Sequence, residues 1–245
     1  MGIPVSIAGH EGRMGQALVA MVRGAEDLEL VGRFEAGDPP GPALVGARVV
    51  VDFTTPEASL ATLAEAAERG VAAVIGTTGW SEDQSGELAR LAERAPIVLA
   101  PNFSTGVAVL ARLVAEAARL LGAGYDIEVL ELHHRDKADA PSGTALKLAE
   151  AAAGARGTSL EADGRFSRHG RTGPRGDREI GLQALRGGDA VGEHTVMLLG
   201  DGERLELTHR AGSRDAFAAG ALRAVRWVDG RPPGLYSLEQ VLGLS

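Results

Sequence analysis

The sequence predicts an α/β fold in which a parallel sheet with helices on its faces is joined to a second, α+β domain. Two observations lead there. Through the first hundred residues, short Val- and Ile-rich runs alternate with Ala- and Leu-rich stretches, the pattern of strands joined by crossover helices. After APNFSTG, at 100–106, the alternation gives way to a long apolar helix, an isolated strand and a hairpin signal. With 245 residues, 44% of them hydrophobic, the chain can bury one large core or two small ones. Residues 1–104 with 213–245 are expected to form the first domain, and residues 105–212 the second.

In order along the chain, PVSIAG, LELVGRF, ARVVVDF, VAAVIGT and APIVLAP read as strands, because they are short and β-branched and most run into Gly, Pro or Thr. MGQALVAMVRG, ASLATLAEAAERG and EDQSGELARLAERA between them have helical spacing. Residues 107–121 form an apolar helix that Arg112, Glu116 and Arg119 make too charged, and its length too short, to span a bilayer. The strand YDIEVLELHH follows, and PSGTALKLAEAAA restarts a helix. Residues 154–181, rich in Gly and Arg, read as a long loop of the kind that often carries function. HTVMLLGDGERLELTHRAG is a hairpin around Gly-Asp-Gly, and DAFAAGALRAVRWVDG is a helix in the segment expected to return to the first domain.

Composition restricts the function. A net charge of −8 argues against nucleic-acid and anionic-membrane partners, and an anionic substrate would need a local positive cluster. With no cysteine in the chain, disulfides, thiolate metal sites and cysteine nucleophiles are excluded. The start, MGIPVSIAGHEGRMG, has no basic segment followed by a long apolar run, so a cytoplasmic location is expected.

Gly9, Gly12 and Gly15 lie between the first strand and first helix, where glycine lets the backbone approach a pyrophosphate at a helix N-terminus. Glu35, about twenty residues on at the end of the second strand, stands where a ribose-binding acid is expected in a Rossmann-like domain. GTTG at 76–79 and APNF at 100–103 supply small polar residues and amides at two further strand ends; they serve equally well as nicotinamide contacts or as ordinary helix caps. Glu35 favours NADH, whereas Arg13 and Arg33 suit the extra phosphate of NADPH. Use of both, with NADH preferred, is the expectation.

The second cluster is ELHHRDKADAPSGTA. Lys137 is one of only two lysines, and its ammonium is a compact charge and a possible proton donor. Ser142, Gly143 and Thr144 open a helix whose amides and hydroxyls suit a carboxylate; the plainer alternative is a helix cap beside a solvated lysine. His133 and His134 can share a ligand only if the strand ends or twists there. Without HExxH spacing or cysteine, a metal is not expected. Taken singly, His10, His169, His194 and His209 read as structural or surface residues.

GHEGRMG, DFTTPE, GTTGW, APNFSTG, ELHHRDKADAPSGTA, TGPRG and RGGDAVGEHTVML, in this order and spacing, closely resemble the dihydrodipicolinate (4-hydroxy-tetrahydrodipicolinate) reductase family over nearly the whole chain. The resemblance implies a dinucleotide-binding domain with a substrate and tetramerisation domain that closes over the cofactor, hence a homotetramer. The activity implied is reduction of 4-hydroxy-tetrahydrodipicolinate, a small dicarboxylate, to tetrahydrodipicolinate in diaminopimelate and lysine biosynthesis. NADH or NADPH is consumed, water is lost and no metal takes part. It makes His133 a proton donor or acceptor and Lys137 a proton donor, and places His134, Gly143 and Thr144 on the substrate. It places Gly9, His10, Glu11, Gly12, Arg13, Met14, Glu35, Gly76, Thr77, Thr78, Ala100, Pro101, Asn102 and Phe103 on the cofactor. Ala36 departs from members with an arginine there, which leaves cofactor preference open. The rival readings are another NAD(P)-dependent oxidoreductase of small amino acids and a non-catalytic NAD(P) sensor; a thioester-forming semialdehyde dehydrogenase is excluded by the missing cysteine.

Overall fold

A computed structural model describes residues 2–244. The chain forms two compact units, Met1–Thr105 with Arg214–Ser245 and Gly106–Ser213, each crossing lying one residue beyond the expected position.

The first unit begins β1 (Ile3–Ala8), α1 (Arg13–Arg23), β2 (Leu28–Phe34), α2 (Pro40–Ala43), β3 (Val49–Asp52), α3 (Pro56–Arg69), β4 (Ala72–Ile75), α4 (Glu82–Ala92) and β5 (Pro96–Leu99). These strands pair in parallel in the order β5-β4-β3-β1-β2. VVVD of β3 and AAVI of β4 are buried at every residue, which is why they read as unbroken apolar runs: both faces are covered. Several strands stop short of the expected ends because flanking residues are used in turns and caps; Thr55, for example, accepts the Ala58 N–H and caps α3. The one-turn α2 was not expected, since its Pro and Gly residues mask it. The chain steps from β1 outward to β2 and then returns to place β3 on the other side of β1. Such a reversal opens a ligand crevice at the carboxyl ends of β1 and β3.

The second unit comprises α5 (Thr105–Leu121), β6 (Asp126–His133), α6 (Gly143–Ala155), α7 (Leu160–Asp163), β7 (Gly164–Arg165), β8 (Ile180–Arg186), β9 (Glu193–Gly200) and β10 (Glu203–Arg210). Its sheet runs β10-β9-β6-β8-β7, with β6 parallel to β8 and antiparallel to β9. Burial alternates along all eight residues of β6, so one face alone is covered. That face sets Ile127, Val129, Ile180, Leu182, Val196 and Leu198 into one core with Val114 and Ala118 of α5 and Leu148 and Ala152 of α6. On the other face Leu130, Leu132, Met197 and Leu199 remain partly exposed.

Residues 154–181, expected as loop, hold α7 and β7, and β7 pairs with β8. Both are too short to give a period, and the 180–186 strand was missed because its residues do not alternate cleanly. The stretch is tied down by charge. Arg168 forks onto Glu128 at 2.8 and 2.9 Å and also meets Glu179, while Arg175 reaches Asp126 at 2.7 Å and Glu128 at 3.2 Å. Glu128 points away from the core face of β6, so these arginines are held on the opposite side of the sheet from His133.

The chain then returns to the first unit as α8 (Asp215–Val228), β11 (Gly234–Tyr236) and α9 (Leu238–Leu242). β11 extends the parallel sheet beyond β5, α8 packs on α1 and β4, and Arg226 forks onto Asp27 at 2.6 and 2.9 Å. β11 and α9 were not expected. Among the described residues, no helix is long and apolar enough to cross a membrane.

Leu148 is fully buried in the core of the second unit, so Leu148→Ala is expected to cost about 2–5 kcal/mol. Urea unfolding should register this as a lower midpoint.

Candidate active site

Gly9 (φ +65) ends β1, its N–H donates to the Phe34 carbonyl at 2.8 Å, and the Gly12 N–H returns to the Gly9 carbonyl at 3.1 Å. A Cβ at Gly15 would lie 2.0 Å from the Gly9 oxygen, so only glycine lets α1 start this close to the loop. Gly12 caps α1 without a side-chain hydrogen bond. No side chain therefore caps the helix end, and its amides and partial positive charge suit a pyrophosphate. Glu35 is fastened to the same loop: its Oε1 accepts the Glu11 N–H at 2.7 Å and lies 2.8 Å from Nδ1 of His10. Beside it is a cavity of about 390 Å³ whose walls include Ala8, Phe34, Thr54, Ala58 and Ala61. Its volume and small apolar walls, with the carboxylates of Glu35, Asp38 and Glu57 also lining it, fit an adenosine moiety and its ribose hydroxyls. The contribution of α3 to this wall was missed; its signal is the helically spaced pair Ala58 and Ala61 after DFTTPE.

The other expected cofactor residues divide. A Cβ at Gly76 would fall 2.0 Å from the Phe53 ring. Thr77 is buried with its hydroxyl 2.6 Å from that of Ser59, Ala100 is buried, and Phe103 is fully buried 5.5 Å from the Phe53 ring. The side chains of Thr77, Ala100 and Phe103 thus pack in the core, and their backbone groups are what they offer at the strand ends. Asn102 accepts the Ser104 N–H at 2.7 Å just before α5 begins. Thr78 and Pro101 are exposed, as is Arg13, and Met14 is half-buried.

In the second unit β6 ends at His133, which is buried, while His134 leaves the strand half-buried, with its N–H donating to the Ala190 carbonyl at 2.8 Å. Two residues back on the same face, Glu131 is 1% exposed. One of its oxygens accepts from Nδ1 of His133; the other accepts from the Ser142 N–H at 3.1 Å and Arg186 at 2.9 Å. Burial opposes the Glu131 charge, but Arg186, His133 and the Ser142 amide outweigh it and hold the carboxyl below its usual range. For His133 burial wins over the attraction of Glu131, and the pKa falls.

Ser142 caps α6, its hydroxyl accepting the Ala145 N–H at 3.2 Å and lying 3.2 Å from Nε2 of His194. Nothing lies within 4 Å of where a Gly143 side chain would begin, so the backbone there is open to a ligand. Lys137 reaches across the turn to both oxygens of Asp139, at 2.7 and 2.9 Å. His194, expected as a structural or surface residue, is a buried one: it is 4% exposed and stacks edge-on to His133 with ring centroids 5.1 Å apart. Burial, with the neighbouring positive charges, lowers its pKa to about 4.

Residues 3–103 and 106–242 match the family descriptions "Dihydrodipicolinate reductase, N-terminus" and "Dihydrodipicolinate reductase, C-terminus". The chain belongs to the dihydrodipicolinate reductase family. Among relatives named 4-hydroxy-tetrahydrodipicolinate reductase, that of Syntrophobacter fumaroxidans is 48% identical over 99% of this chain and 100% of its own, and that of Myxococcus xanthus is 50% identical over 98% and 97%. A solved structure of dipicolinate-bound dihydrodipicolinate reductase from Paenisporosarcina sp. TG-14 superposes with a TM-score of 0.78 at 27% identity, covering 98% of this chain and 99% of that one. The C-terminal match of the reductase family includes α8, β11 and α9, which here pack in the first unit.

Glu131, Arg186 and His194 were not foreseen as site residues. Glu131 and His133 could have been paired from i, i+2 spacing on an alternating strand, whereas Arg186 and His194 come from neighbouring strands and leave no local signal. Glu131, His133 and His194 also have ligand atoms within 4.8 Å of one another, a spacing open to a metal ion. The Arg186 guanidinium already neutralises that carboxylate, and the Ser142 amide and His133 each donate to a further lone pair.

A histidine with a folded pKa near 4 must stay neutral to remain buried. Its contribution is complete above the unfolded value of 6.5 and is lost as pH falls towards 4. Denaturation between pH 7 and pH 4 should therefore show a loss to which His194 contributes on the order of 3 kcal/mol. His194→Gln should flatten it.

Proposed function

We propose that this chain reduces 4-hydroxy-tetrahydrodipicolinate to tetrahydrodipicolinate with NADH or NADPH, releasing water, in diaminopimelate and lysine biosynthesis. The observation that carries the reading is that His133 at the end of β6, Lys137 in the loop after it and the open start of α6 at Gly143 follow one another, where an anion would meet an ammonium, an imidazole and helix amides. When bound, the nicotinamide supplies a hydride. His133, Lys137 and α6 hold the acceptor, and the net change is one hydride and one proton added and one water lost.

Lys137, now paired with the 62%-exposed side chain of Asp139, can exchange that exposed partner for a substrate carboxylate at little cost. His134, Ser142, Gly143 and Thr144 are the remaining substrate contacts. The family resemblance assigns proton transfer to His133 and Lys137, each contributing about 10²- to 10⁴-fold. On the nucleotide side, the loop from Gly9 to Met14 takes the pyrophosphate and Glu35, fixed by His10 and the Glu11 amide, takes the ribose hydroxyls. Gly76, Thr78, Pro101 and Asn102, with the backbone of Thr77, Ala100 and Phe103, face the rest of the cofactor. The absence of a cation at Ala36 favours NADH, with NADPH still accepted through Arg13 and Arg33.

We further propose that the chain is a homotetramer. The half-exposed face of the second sheet, with Leu130, Leu132, Met197 and Leu199, is the apolar surface that such assembly would cover. Light scattering should give a mass near four chains; a monomer would remove this part of the reading.

Aspartate semialdehyde, pyruvate and the preceding synthase, mixed with the chain, should consume reduced cofactor, with higher kcat/KM for NADH. No consumption with either cofactor would favour a nucleotide sensor. His133→Gln should lower kcat by about 10²-fold or more and leave the Kd for NADH unchanged, which fluorescence titration would check.

A further inference from the structure

Glu131 is the most buried ionisable side chain of the second unit, and the reaction as drawn from His133 and Lys137 does not use it. Its three donors come from three places: His133 two residues along β6, the Ser142 amide at the start of α6, and Arg186 at the end of β8. An ionised carboxylate can only accept, so Nδ1 of His133 carries a hydrogen in both the neutral and the charged ring. The nitrogen that gains and loses a proton is then Nε2. A Cβ at Gly192 would come within 2.9 Å of Nε2, so any side chain there would crowd that nitrogen.

We propose that Glu131 is the positioning residue of the reaction: it holds His133 as the Nδ1–H tautomer with Nε2 directed to the substrate, and through the Ser142 amide it locks that ring to the anion-binding turn. The inference rests on the reaction proposed above. In the proton step the Nε2–H bond of the charged ring breaks as the proton joins the substrate carbon made electron-rich by hydride addition. The neutral imidazole left behind keeps its Nδ1 hydrogen on Glu131, and solvent returns a proton to Nε2.

The charged and titratable groups facing His133 are Glu131 on its own strand, Lys137 in the turn, Arg186 on β8 and His194 on β9. Glu131→Gln removes the one anion and leaves the cations, so the charged ring becomes less stable. Turnover of the full chain should fall on the order of 10²-fold, and the alkaline limb of the kcat/KM profile should move to lower pH. Glu131→Asp should restore part of both, whereas a merely structural role would leave the limb in place.

Nitrogen-15 spectra of the histidine side chains provide the second readout. Neutral His133 of the unsubstituted protein should show a protonated Nδ1 and a bare Nε2, and Glu131→Gln should mix the tautomers. A proton on Nε2 in the neutral ring, or an unshifted limb in a folded Glu131→Gln, overturns the proposal. The spectrum of the unsubstituted protein decides the tautomer even if Glu131→Gln does not fold, and even if the proposed substrate is not turned over.

Discussion

The burial of one carboxylate, Glu131, sets the terms for the whole cluster at the end of β6. An ion taken out of water into a sheet core costs several kcal/mol unless donors surround it, and here three do, each from a different segment. The carboxylate therefore acts as a structural knot. The strand end, the turn that follows it and a neighbouring strand take up their positions because each satisfies part of its charge. In return, the same bonds fix the imidazole and the amide of Ser142, the cap of α6, relative to one another, so a packing requirement and a chemical one are met by the same atoms.

The nucleotide side is built on the opposite principle. Its loop offers backbone, not side chains: glycines give close approach, and the helix end carries its partial charge uncapped. The side chains at neighbouring strand ends mostly face inward, with Phe53 under Gly76 and Phe103 packed against Phe53. A dinucleotide offers many hydrogen-bonding groups at fixed spacing, which amides can meet; a small dicarboxylate offers few, so charged side chains must do more.

This difference also explains what was legible in the sequence. The parallel sheet could be read because strands buried on both faces leave unbroken apolar runs, and the glycine loop because backbone approach demands glycine at fixed spacing. The strand ending at His133 and the helix cap at Ser142 were local and equally visible. Arg186 and His194 were not, since strand pairing brings them to His133 from more than fifty residues away in sequence. The inward turn of the Thr77 and Phe103 side chains was hidden for a related reason. Their motif places them at a ligand-facing strand end, but which way a side chain turns there depends on Ser59 and Phe53, packing partners that no local pattern identifies.

The second unit is an excursion from the first: the chain leaves after Thr105 and re-enters at Arg214. This has a consequence for the order of folding during synthesis. The second unit is continuous and can form as soon as it emerges, whereas the nucleotide-binding sheet lacks α8 and its β11 edge until the last segment is made. Chains emerging from the ribosome thus hold an unfinished apolar sheet through roughly a hundred residues of further synthesis, an interval of seconds at ordinary elongation rates. Closing the excursion first reduces that penalty, because a folded insert brings its ends to a set separation in place of a long flexible loop whose closure entropy would have to be met in full.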